Sequence, residues 1–595
     1  MMSRYSRVLA ALAAALLSAQ PALAGKPAAL KIKALGKATV GPGVMWSPAI
    51  TDDVLRSAAT VREALHDKML KATFAQRLLR SGRAAAALAP ALSVPLVSTL
   101  PIREADEGVT GFNGLTVYQQ ALAGPGGGSV EPPDQALCVA NGFVVEAVND
   151  ALIVYDKKGK TLAGPVQLSL FFSGLPANDP NANVFSDPRC MHDAATDRWF
   201  VTVVEYNFDS TGAISFSAVD IAVSGSGDPT AGFGVYQLDV TNDEDGFTGA
   251  YDCPCIGDQP LIGSDANGFY VSTNSYGQFS FEGAQLYAIS KKDLINFSPT
   301  LRGKHFDPLS FPPYFALTDP EGAFSLQPAI TPPGDGGEKG TQYLVQSLAA
   351  FRYENQIGVW AISNTAALDT DASQTTIALQ RLGTQVYGQP VDAIQRAGPT
   401  PLAVSTDMAM QNVAANDVRM QQVVFAGGKL YTGLTTAAYS PGQMIRDAVA
   451  WFVVGVNNPA SGLQASIAQQ GYLAADENAS LLFPAVAVNS RGDAAFVFSV
   501  VGPTQFPSAA YWRFGGHSIH VAGEGSAPED GFSAYLFARP RWGDYSAAGA
   551  DTDGSLWMAT EFIPDSTRRR FANWGTFVTR LRPADRDHDD WRDGD

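Results

Sequence analysis

From about residue 134 onward the chain repeats one pattern of polar and apolar positions. Each copy has a polar, often acidic entry, an apolar segment of strand character, a turn rich in Gly, Asn or Asp, and a second apolar segment. The turns of seven such copies are centred on residues 141–142, 194–197, 265–268, 332–340, 427–428, 489–493 and 551–554. A lone meander cannot bury both of its faces, whereas radially stacked meanders can. The pattern therefore predicts an all-β fold, a β-propeller of seven blades, with six or eight blades as alternatives.

The turns lie further apart than the roughly 40 to 50 residues of a compact four-stranded blade. Several blades should therefore carry long loops, which usually gather on one rim of a propeller. A two-sheet sandwich is the alternative all-β architecture, but a sandwich does not predict that a hairpin with the same polar entry recurs so often. The propeller is the interpretation that the repeat favours.

The N-terminal part of the chain has a different pattern. Residues 1–24 combine Arg4 and Arg7, an apolar run and small residues at 22–24, which is typical of a cleaved signal peptide. Within 51–92, apolar residues recur at helical spacing and predict an amphipathic helix. The predicted domains are a signal peptide (1–24), an N-terminal extension with this helix (25–110), the propeller (111–583) and an acidic tail (584–595).

Charge limits the classes of partner. The formal net charge of −17 argues against nucleic acid and anionic membrane surfaces, because both require a basic face. No stretch after the signal peptide reaches the roughly 18 apolar residues of a membrane-spanning helix. We therefore expect a secreted or periplasmic protein whose partner is a glycan or a protein ligand; the oligomeric state stays open.

Four cysteines occur in the chain, and in an exported protein an even number predicts disulfide bonds. They are Cys138, Cys190, Cys253 and Cys255. A bridge between Cys253 and Cys255 would close an unusually tight ring. We therefore expect cross-pairing of these two residues with Cys138 and Cys190. A zinc site is disfavoured, because no His or Cys pair has a standard ligand spacing.

The polar blade entries are the candidate chemistry of the chain. The innermost strand of a propeller blade borders the central channel, so the entries could form a polar, largely acidic ring that suits a cation or a hydroxyl-rich ligand. The ring would contain Asp134, Asp187, Asp258, Gln327, Gln422 and Asp544, with Gln259, Arg541 and Tyr545 beside them as further ligand-binding candidates. The alternative is that these residues only start strands and turns.

Several segments resemble those of a broad family of secreted, sialidase-like propellers that mostly have no assigned activity. The resemblance covers roughly residues 134–582. It rests on Asp258-Gln259-Pro260-Leu261-Ile262-Gly263, Asp265-Ala266-Asn267-Gly268, Phe483-Pro484-Ala485-Val486-Ala487-Val488, Arg541-Trp542-Gly543-Asp544-Tyr545-Ser546 and Trp574-Gly575-Thr576. The resemblance implies the fold, not a reaction. The Asp-box spacing and the segment that usually starts a sialidase arginine triad are both missing from the sequence.

Two functions from different classes follow. The first is a non-catalytic binding or scaffold protein, because repeated blades are visible while no familiar catalytic motif is. The alternative is a sialidase-like glycoside hydrolase that uses two carboxyls at the channel mouth, with Asp187, Asp258 and Asp544 as candidates. Arg189, Arg198 and Arg541 could then clamp an anionic substrate, or they could form ordinary salt bridges. Whether the protein is an enzyme stays open.

The acidic tail is a candidate calcium site. Asp585, Asp587, Asp589 and Asp593 have the alternate spacing with which a loop wraps one calcium ion. Asp590 stands where such loops usually have Gly, and a disordered acidic tail is the competing interpretation. No other cofactor is expected.

Overall fold

The computed structural model describes most of the chain between residues 30 and 583. The described ranges are 30–41, 92–127, 130–179, 181–243, 253–278, 281–306, 322–350, 352–405, 407–531, 533, 541–564 and 572–583. The predicted signal peptide, all but the last residue of the predicted amphipathic helix and the calcium candidates of the tail lie outside these ranges.

Strands make up most of the described chain. Three strands precede the repeats: β1 (Ile32–Ala38), β2 (Ile102–Glu104) and β3 (Thr110–Thr116). The next twelve are β4 (Ala136–Ala140), β5 (Phe143–Val148), β6 (Ala151–Asp156), β7 (Thr161–Gln167), β8 (Val184–Asp193), β9 (Arg198–Phe208), β10 (Ile214–Ser224), β11 (Phe233–Asp239), β12 (Ile256–Ser264), β13 (Gly268–Tyr276), β14 (Phe281–Ser290) and β15 (Gly303–Phe306).

The remaining strands belong to the second half of the chain. They are β16 (Gln327–Ile330), β17 (Thr341–Ser347), β18 (Glu354–Ser363), β19 (Thr376–Tyr387), β20 (Val423–Ala426), β21 (Lys429–Ala438), β22 (Arg446–Asn457), β23 (Gln464–Leu473), β24 (Ser480–Val488), β25 (Ala494–Val501), β26 (Ser508–Arg513), β27 (Ile519–Gly523), β28 (Ala547–Ala550), β29 (Leu556–Phe562) and β30 (Gly575–Leu581). Helices are short: α1 (Val117–Ala121), α2 (Leu168–Ser173), α3 (Lys291–Ile295), α4 (Pro401–Ser405) and two 3₁₀ turns at Thr365–Asp369 and Ala372–Gln374.

The strands form six hydrogen-bonded sheets, which divide into seven units of four antiparallel strands. Units 1 to 6 are β4–β7, β8–β11, β12–β15, β16–β19, β20–β23 and β24–β27, and unit 7 is β28–β30 with β3 as its fourth strand. Units 4 and 5 share one sheet because their first strands, β16 and β20, pair in parallel. β1 adds to the outer edge of unit 2, and β2 to that of unit 6.

The first strands of consecutive units lie against one another around a ring. β4 contacts β8, and the contacts continue through β12, β16, β20, β24 and β28, which returns to β4. Unit 7 combines strands from near the end of the chain with β3 from before the repeats, so its sheet fastens the two ends of the ring together. This arrangement is a β-propeller-like fold.

The predicted hairpins are confirmed. Each of the seven turns read from the sequence connects the first and second strand of one unit. Apolar residues from adjacent units interleave between the sheets, and the largest of them are fully buried, among them Trp199 in unit 2, Trp360 in unit 4 and Trp557 in unit 7. Burial of such side chains between units supplies the main driving force for stacking the sheets.

The cysteines pair differently from the expectation. Cys138 is bonded to Cys190, and Cys253 to Cys255, with Cα–Cα distances of 5.6 and 4.4 Å. The predicted cross-pairing is therefore wrong. The reason is spatial: Cys138 lies in β4 and Cys190 in β8, and these neighbouring first strands bring the two side chains together.

Among the described residues, no helix has the length and apolar character needed to cross a membrane.

Candidate functional site

The entries of the first strands carry a repeated backbone strain. Asp134, Asp187, Gln259, Ser325 and Phe483 all have positive φ, between 44° and 55°. Residues with a Cβ avoid this left-handed region, and exceptions concentrate at functional sites. Proline directly follows three of these residues, Asp187, Gln259 and Phe483. At each of these positions the strand, β8, β12 or β24, contains a bulge. A bulge re-aims the side chains of a strand, here at the end of the channel where the first strands begin.

Asn149 joins two of these entries. Its amide nitrogen donates to Asp134 Oδ2 at 2.8 Å, and its carbonyl oxygen accepts from the backbone N–H of Asp187 at 2.8 Å. Asn149 follows β5 in unit 1, whereas Asp187 lies in β8 of unit 2. The side chain of Asn149 therefore fixes the carboxylate of Asp134 in unit 1 and the strained backbone of Asp187 in unit 2.

Asp544 is the centre of a second set of contacts. Its backbone N–H donates to Asp134 Oδ1 at 2.7 Å, which joins unit 7 to unit 1. Arg541 Nη2 donates to Asp544 Oδ1 at 3.0 Å, and the amide of Asn416 donates to the same oxygen. Arg419 Nη1 lies 3.6 Å from Asp544 Oδ2. Two guanidinium groups and one amide therefore surround the carboxyl of Asp544.

Arg419 is a buried cation whose donors are directed at the protein itself. Nε and Nη2 donate to the two oxygens of Asp417, each at 2.8 Å, and Nη1 donates to Gln259 Oε1 at 2.7 Å. Such a two-point contact between guanidinium and carboxylate fixes both groups in orientation. Gln259 is thereby tied to the loop that precedes β20.

Arg189 differs, because it forms no salt bridge within the described residues. Its guanidinium lies over the ring of Tyr545, 3.2 Å from the ring centroid, and its Nε has no hydrogen-bond partner among those residues. Tyr545 in turn donates its hydroxyl to the carbonyl of Pro188 at 2.9 Å. Burial lowers the pKa of Arg189. The side chain as a whole is half-buried, whereas its unpartnered Nε is fully buried.

Burial separates the titration of the neighbouring carboxyls. The pKa of Asp134 is raised to about 6, first by burial and then by the charge of Asp544. The pKa of Asp187 is raised well above its ordinary value by burial and by the charges of Asp258, Asp134 and Asp544. Burial therefore favours the protonated form of Asp187, which can donate a hydrogen bond as well as accept one.

We call these residues the entry cluster: Asp134, Asp187, Asp258, Gln259, Asp544, Arg189 and Arg419. Of the other candidates, Arg541 and Tyr545 contact the cluster directly, as described above. Gln422 instead bonds the backbone of Val486 and Ala548, bridging β24 and β28, and Gln327 bonds the carbonyl of Pro328. Arg198 bonds the carbonyls of Thr196 and Asp197 at the turn end of unit 2, away from the cluster.

Four members of the network are not among the candidates that the sequence indicates: Asn149, Asn416, Asp417 and Arg419. Three of them lie in the long connection between β19 and β20, outside the repeated hairpin from which the other candidates were read. The only signal in the sequence is their position directly before β20, because every other first strand is preceded by a polar entry.

A cavity lies at the opposite end of the channel. It has a volume of about 50 Å³ and is lined mainly by apolar residues of the first strands and of the turn after β16, among them Leu137, Met191, Ile330, Val424, Val488 and Ala548. The bonded Cys138 and Cys190 also line it. No group of three or more His, Cys, Asp or Glu side chains suited to a metal ion occurs within the described ranges.

Comparison with known proteins gives only distant structural likenesses. No family model and no curated protein matches the chain. These comparisons therefore assign the chain to no family. Solved structures that match include a sialidase from Trypanosoma rangeli in complex with sialic acid, with 12% identity and a TM-score of 0.31. The match covers 68% of this chain and 56% of the sialidase, so the chain spans little more than half of that protein.

Two further structures have similar values. A fungal alcohol oxidase in complex with copper is 12% identical with a TM-score of 0.32, over 75% of this chain and 71% of that one. An exo-β-1,3-galactanase from Phanerochaete chrysosporium with galactose is 10% identical with a TM-score of 0.24, over 79% and 96%. Likenesses this weak carry no argument about function.

Proposed function

We propose that the seven units are the blades of a seven-bladed propeller in an exported protein, and that the entry cluster is its binding site for a hydroxyl-rich ligand such as a glycan. The closed ring of first strands and the fastening of β3 to β30 support the blade count. The two disulfide bonds favour an oxidising compartment. The sialidase-like resemblance of the sequence is compatible with a glycan ligand.

The arrangement of the carboxyls favours binding over catalysis. Asp134, Asp187 and Asp544 are only 2%, 3% and 7% exposed. Asp134 and Asp544 already accept hydrogen bonds from the protein, so neither is presented to a substrate as a free base or nucleophile. A network that is satisfied in this way is rigid and preorganised, which suits recognition of a polar ligand.

The position of Arg189 is the observation on which the proposal rests. Its guanidinium is partly exposed, packs on the ring of Tyr545 and forms no salt bridge within the described residues, so its charge can meet a polar or acidic ligand. An aromatic face under a cation and hydrogen-bond donors around it are the groups with which proteins hold polar rings and hydroxyls.

The test is binding of the mature chain, without residues 1–24, to an immobilised panel of neutral and acidic oligosaccharides. Retention of a subset by the wild type and at least about tenfold weaker binding by Arg189→Gln are expected, since one lost charge-assisted contact is worth about 1.4 kcal/mol or more. Arg491→Gln is the matched control, because Arg491 pairs with Asp493 in a turn at the opposite end. No retention, or equal retention by both variants, would contradict the proposal.

One observation favours the alternative, a glycoside hydrolase. The raised pKa of Asp187, to which the charge of Asp544 contributes, resembles that of a general acid with a partner carboxylate. Hydrolysis of a fluorogenic glycoside panel that is abolished in both Asp187→Asn and Asp544→Asn, with unchanged melting temperature, would establish the enzyme. Turnover that persists in both variants would exclude these residues as its catalytic groups.

The calcium proposal is independent of the entry cluster. If the acidic tail wraps a calcium ion, terbium should occupy the same site, and the full chain should show terbium luminescence that added calcium suppresses. A chain ending at residue 583 should lack this luminescence. Equal signals from the two chains would contradict a tail site.

A further inference from the structure

Two acidic side chains lie buried in unit 2, away from the entry cluster. Glu205 of β9 is 3% exposed and Asp220 of β10 is fully buried; together we call them the acid pair. The strand register places Asp220 opposite Gln237 of β11, and Gln237 opposite Lys33 of β1. The acid pair therefore lies under the outer edge of the sheet, where β1 is added.

Glu205 accepts hydrogen bonds on both oxygens of its carboxyl, and these oppose the burial that raises its pKa. Asn183 Nδ2 donates to its Oε1 at 2.8 Å, and the amide of Gln237 donates to its Oε2. Asn207 in turn donates to Asn183 Oδ1 at 2.8 Å and so fixes the orientation of that amide. Amide donors on both oxygens stabilise the charged form.

Asp220 has the opposite environment. Neither of its oxygens has a well-formed hydrogen bond, although the residue is fully buried and the amide of Gln237 lies beside it. Glu205 lies within hydrogen-bonding reach of it. A buried carboxyl without donors is stable when it carries a proton and donates that proton to an acceptor. The acceptor available here is Glu205.

The charged groups around the acid pair are few. Lys33 is the cation that acts on both carboxyls, from the exposed outer strand β1. Strand alternation places Lys31 of the same segment and Asp239 of β11 on this face as well. Unit 1 and α2, which pack against the face, contribute apolar side chains, among them Val145, Ala147 and Phe172.

We propose that the acid pair shares one proton and acts as a pH-sensitive latch for β1. While the proton is present, the pair carries a single charge that two amides and Lys33 satisfy. Loss of the proton to solvent leaves two carboxylates in contact inside the sheet interface. β1 is an outer strand that is hydrogen-bonded along one edge only, and its release admits water to the pair.

The sign of the effect follows from the titration. Burial and the charge of Glu205 raise the pKa of Asp220 well above its ordinary value. The contribution of the pair to stability is therefore complete at acidic pH and falls as the pH rises toward that pKa. The latch is closed in acid and opens in alkali, and this holds whether or not the entry cluster binds a ligand.

Hydrogen exchange of the mature chain at pH 6, 7.5 and 9, corrected for the intrinsic rate, tests the latch. Protection of β1 and β11 is expected to fall about tenfold or more between pH 6 and pH 9, which corresponds to titration through one pH unit or more. The control within the same chain is β23, the outer strand of unit 5, whose protection should stay constant.

Two variants identify the groups responsible. Asp220→Asn donates to Glu205 at every pH, so its β1 protection should not depend on pH. Lys33→Gln changes an exposed side chain and should fold normally; it should be less protected than the wild type at pH 6 and further below it at pH 9. Constant protection in the wild type overturns the proposal. So does an Asp220→Asn variant with the wild-type pH dependence, or a Lys33→Gln variant that is more protected at pH 9.

Discussion

The two ends of the central channel are built from the same seven strands but have opposite chemistry. At the entry end, long connections bring carboxyls and guanidinium groups into one buried network around Asp544. At the other end, six of these strands line a small apolar pocket, and a turn connects the first and second strand of each unit. The difference shows that the strands set the frame, whereas the connections decide which end carries the chemistry.

The ends also differ in how adjacent units are joined. At the apolar end a covalent bond, Cys138–Cys190, links units 1 and 2. At the entry end units are linked by hydrogen bonds and ion pairs, such as those that join Asp544 to Asp134 and to Arg419. Removing these links one at a time measures how much each kind of contact contributes to the free energy of unfolding.

The largest effect is expected from the disulfide at the apolar end. Cys138→Ser combined with Cys190→Ser opens a loop with a sequence separation of 52, which should lower the free energy of unfolding by about 4 kcal/mol. The matched control is Cys253→Ser combined with Cys255→Ser, where the separation is 2 and the loss should be less than half as large. Denaturant unfolding measures both. Equal losses would contradict the argument from loop length.

A smaller but substantial effect is expected at the entry end. Arg419→Gln leaves Asp417 and Asp544 with one buried cation fewer, and removing one partner of a buried pair should cost about 3 kcal/mol. Arg491→Gln breaks a partly exposed pair in a turn at the other end and should cost less than about 1 kcal/mol. Similar costs for the two variants would show that the entry network is solvated rather than buried.

The third effect separates structure from binding. Asn149→Ala removes a donor to Asp134 and an acceptor for the N–H of Asp187, which should cost about 2 kcal/mol and also weaken ligand binding. Asn489 is its counterpart in a turn at the opposite end, where it bonds Gly554 and Asp493. Asn489→Ala should cost a similar amount and leave binding unchanged. Loss of binding in both variants would mean that stability alone controls it.

The smallest effect concerns pH. Because the pKa of Asp134 is raised to about 6, its contribution to stability is present below pH 4 and falls as the pH rises through 6. Arg541 and the hydrogen bonds to Asp134 offset part of the burial, so the change should be modest. Thermal melts from pH 4 to 7.5 should show a slope that Asp134→Asn reduces. If Asp134→Asn leaves this slope unchanged, a group other than Asp134 is responsible for the pH dependence of the melting temperature.

Several features of the molecule could be predicted from residues that are neighbours in sequence. The seven turns were predicted because Gly, Asn and Asp adopt turn conformations locally, and the strands beside them because apolar residues recur in short runs. Asp134, Asp187, Asp258 and Asp544 were identified because each stands at the same place in its repeat.

Other features depend on contacts between distant segments. The pairing of Cys138 with Cys190 follows from the packing of β4 on β8, which no local spacing reveals. Arg419 joins the entry cluster only because the ring brings the connection before β20 beside β12 and Asp544. Asp220 and Glu205 have no distinguishing pattern in the sequence. Their burial beneath β1 is what raises the pKa of Asp220.

The sequence by itself therefore determined the repeated hairpin, the all-β class and the acidic entries, since turn propensity and the alternation of apolar positions act over a few residues. Tertiary structure decided how the cysteines pair, which guanidinium groups reach the carboxylates, and which carboxyls hold a proton. These properties depend on distance and burial, and only the closure of the ring fixes the distance and burial of residues far apart in the chain.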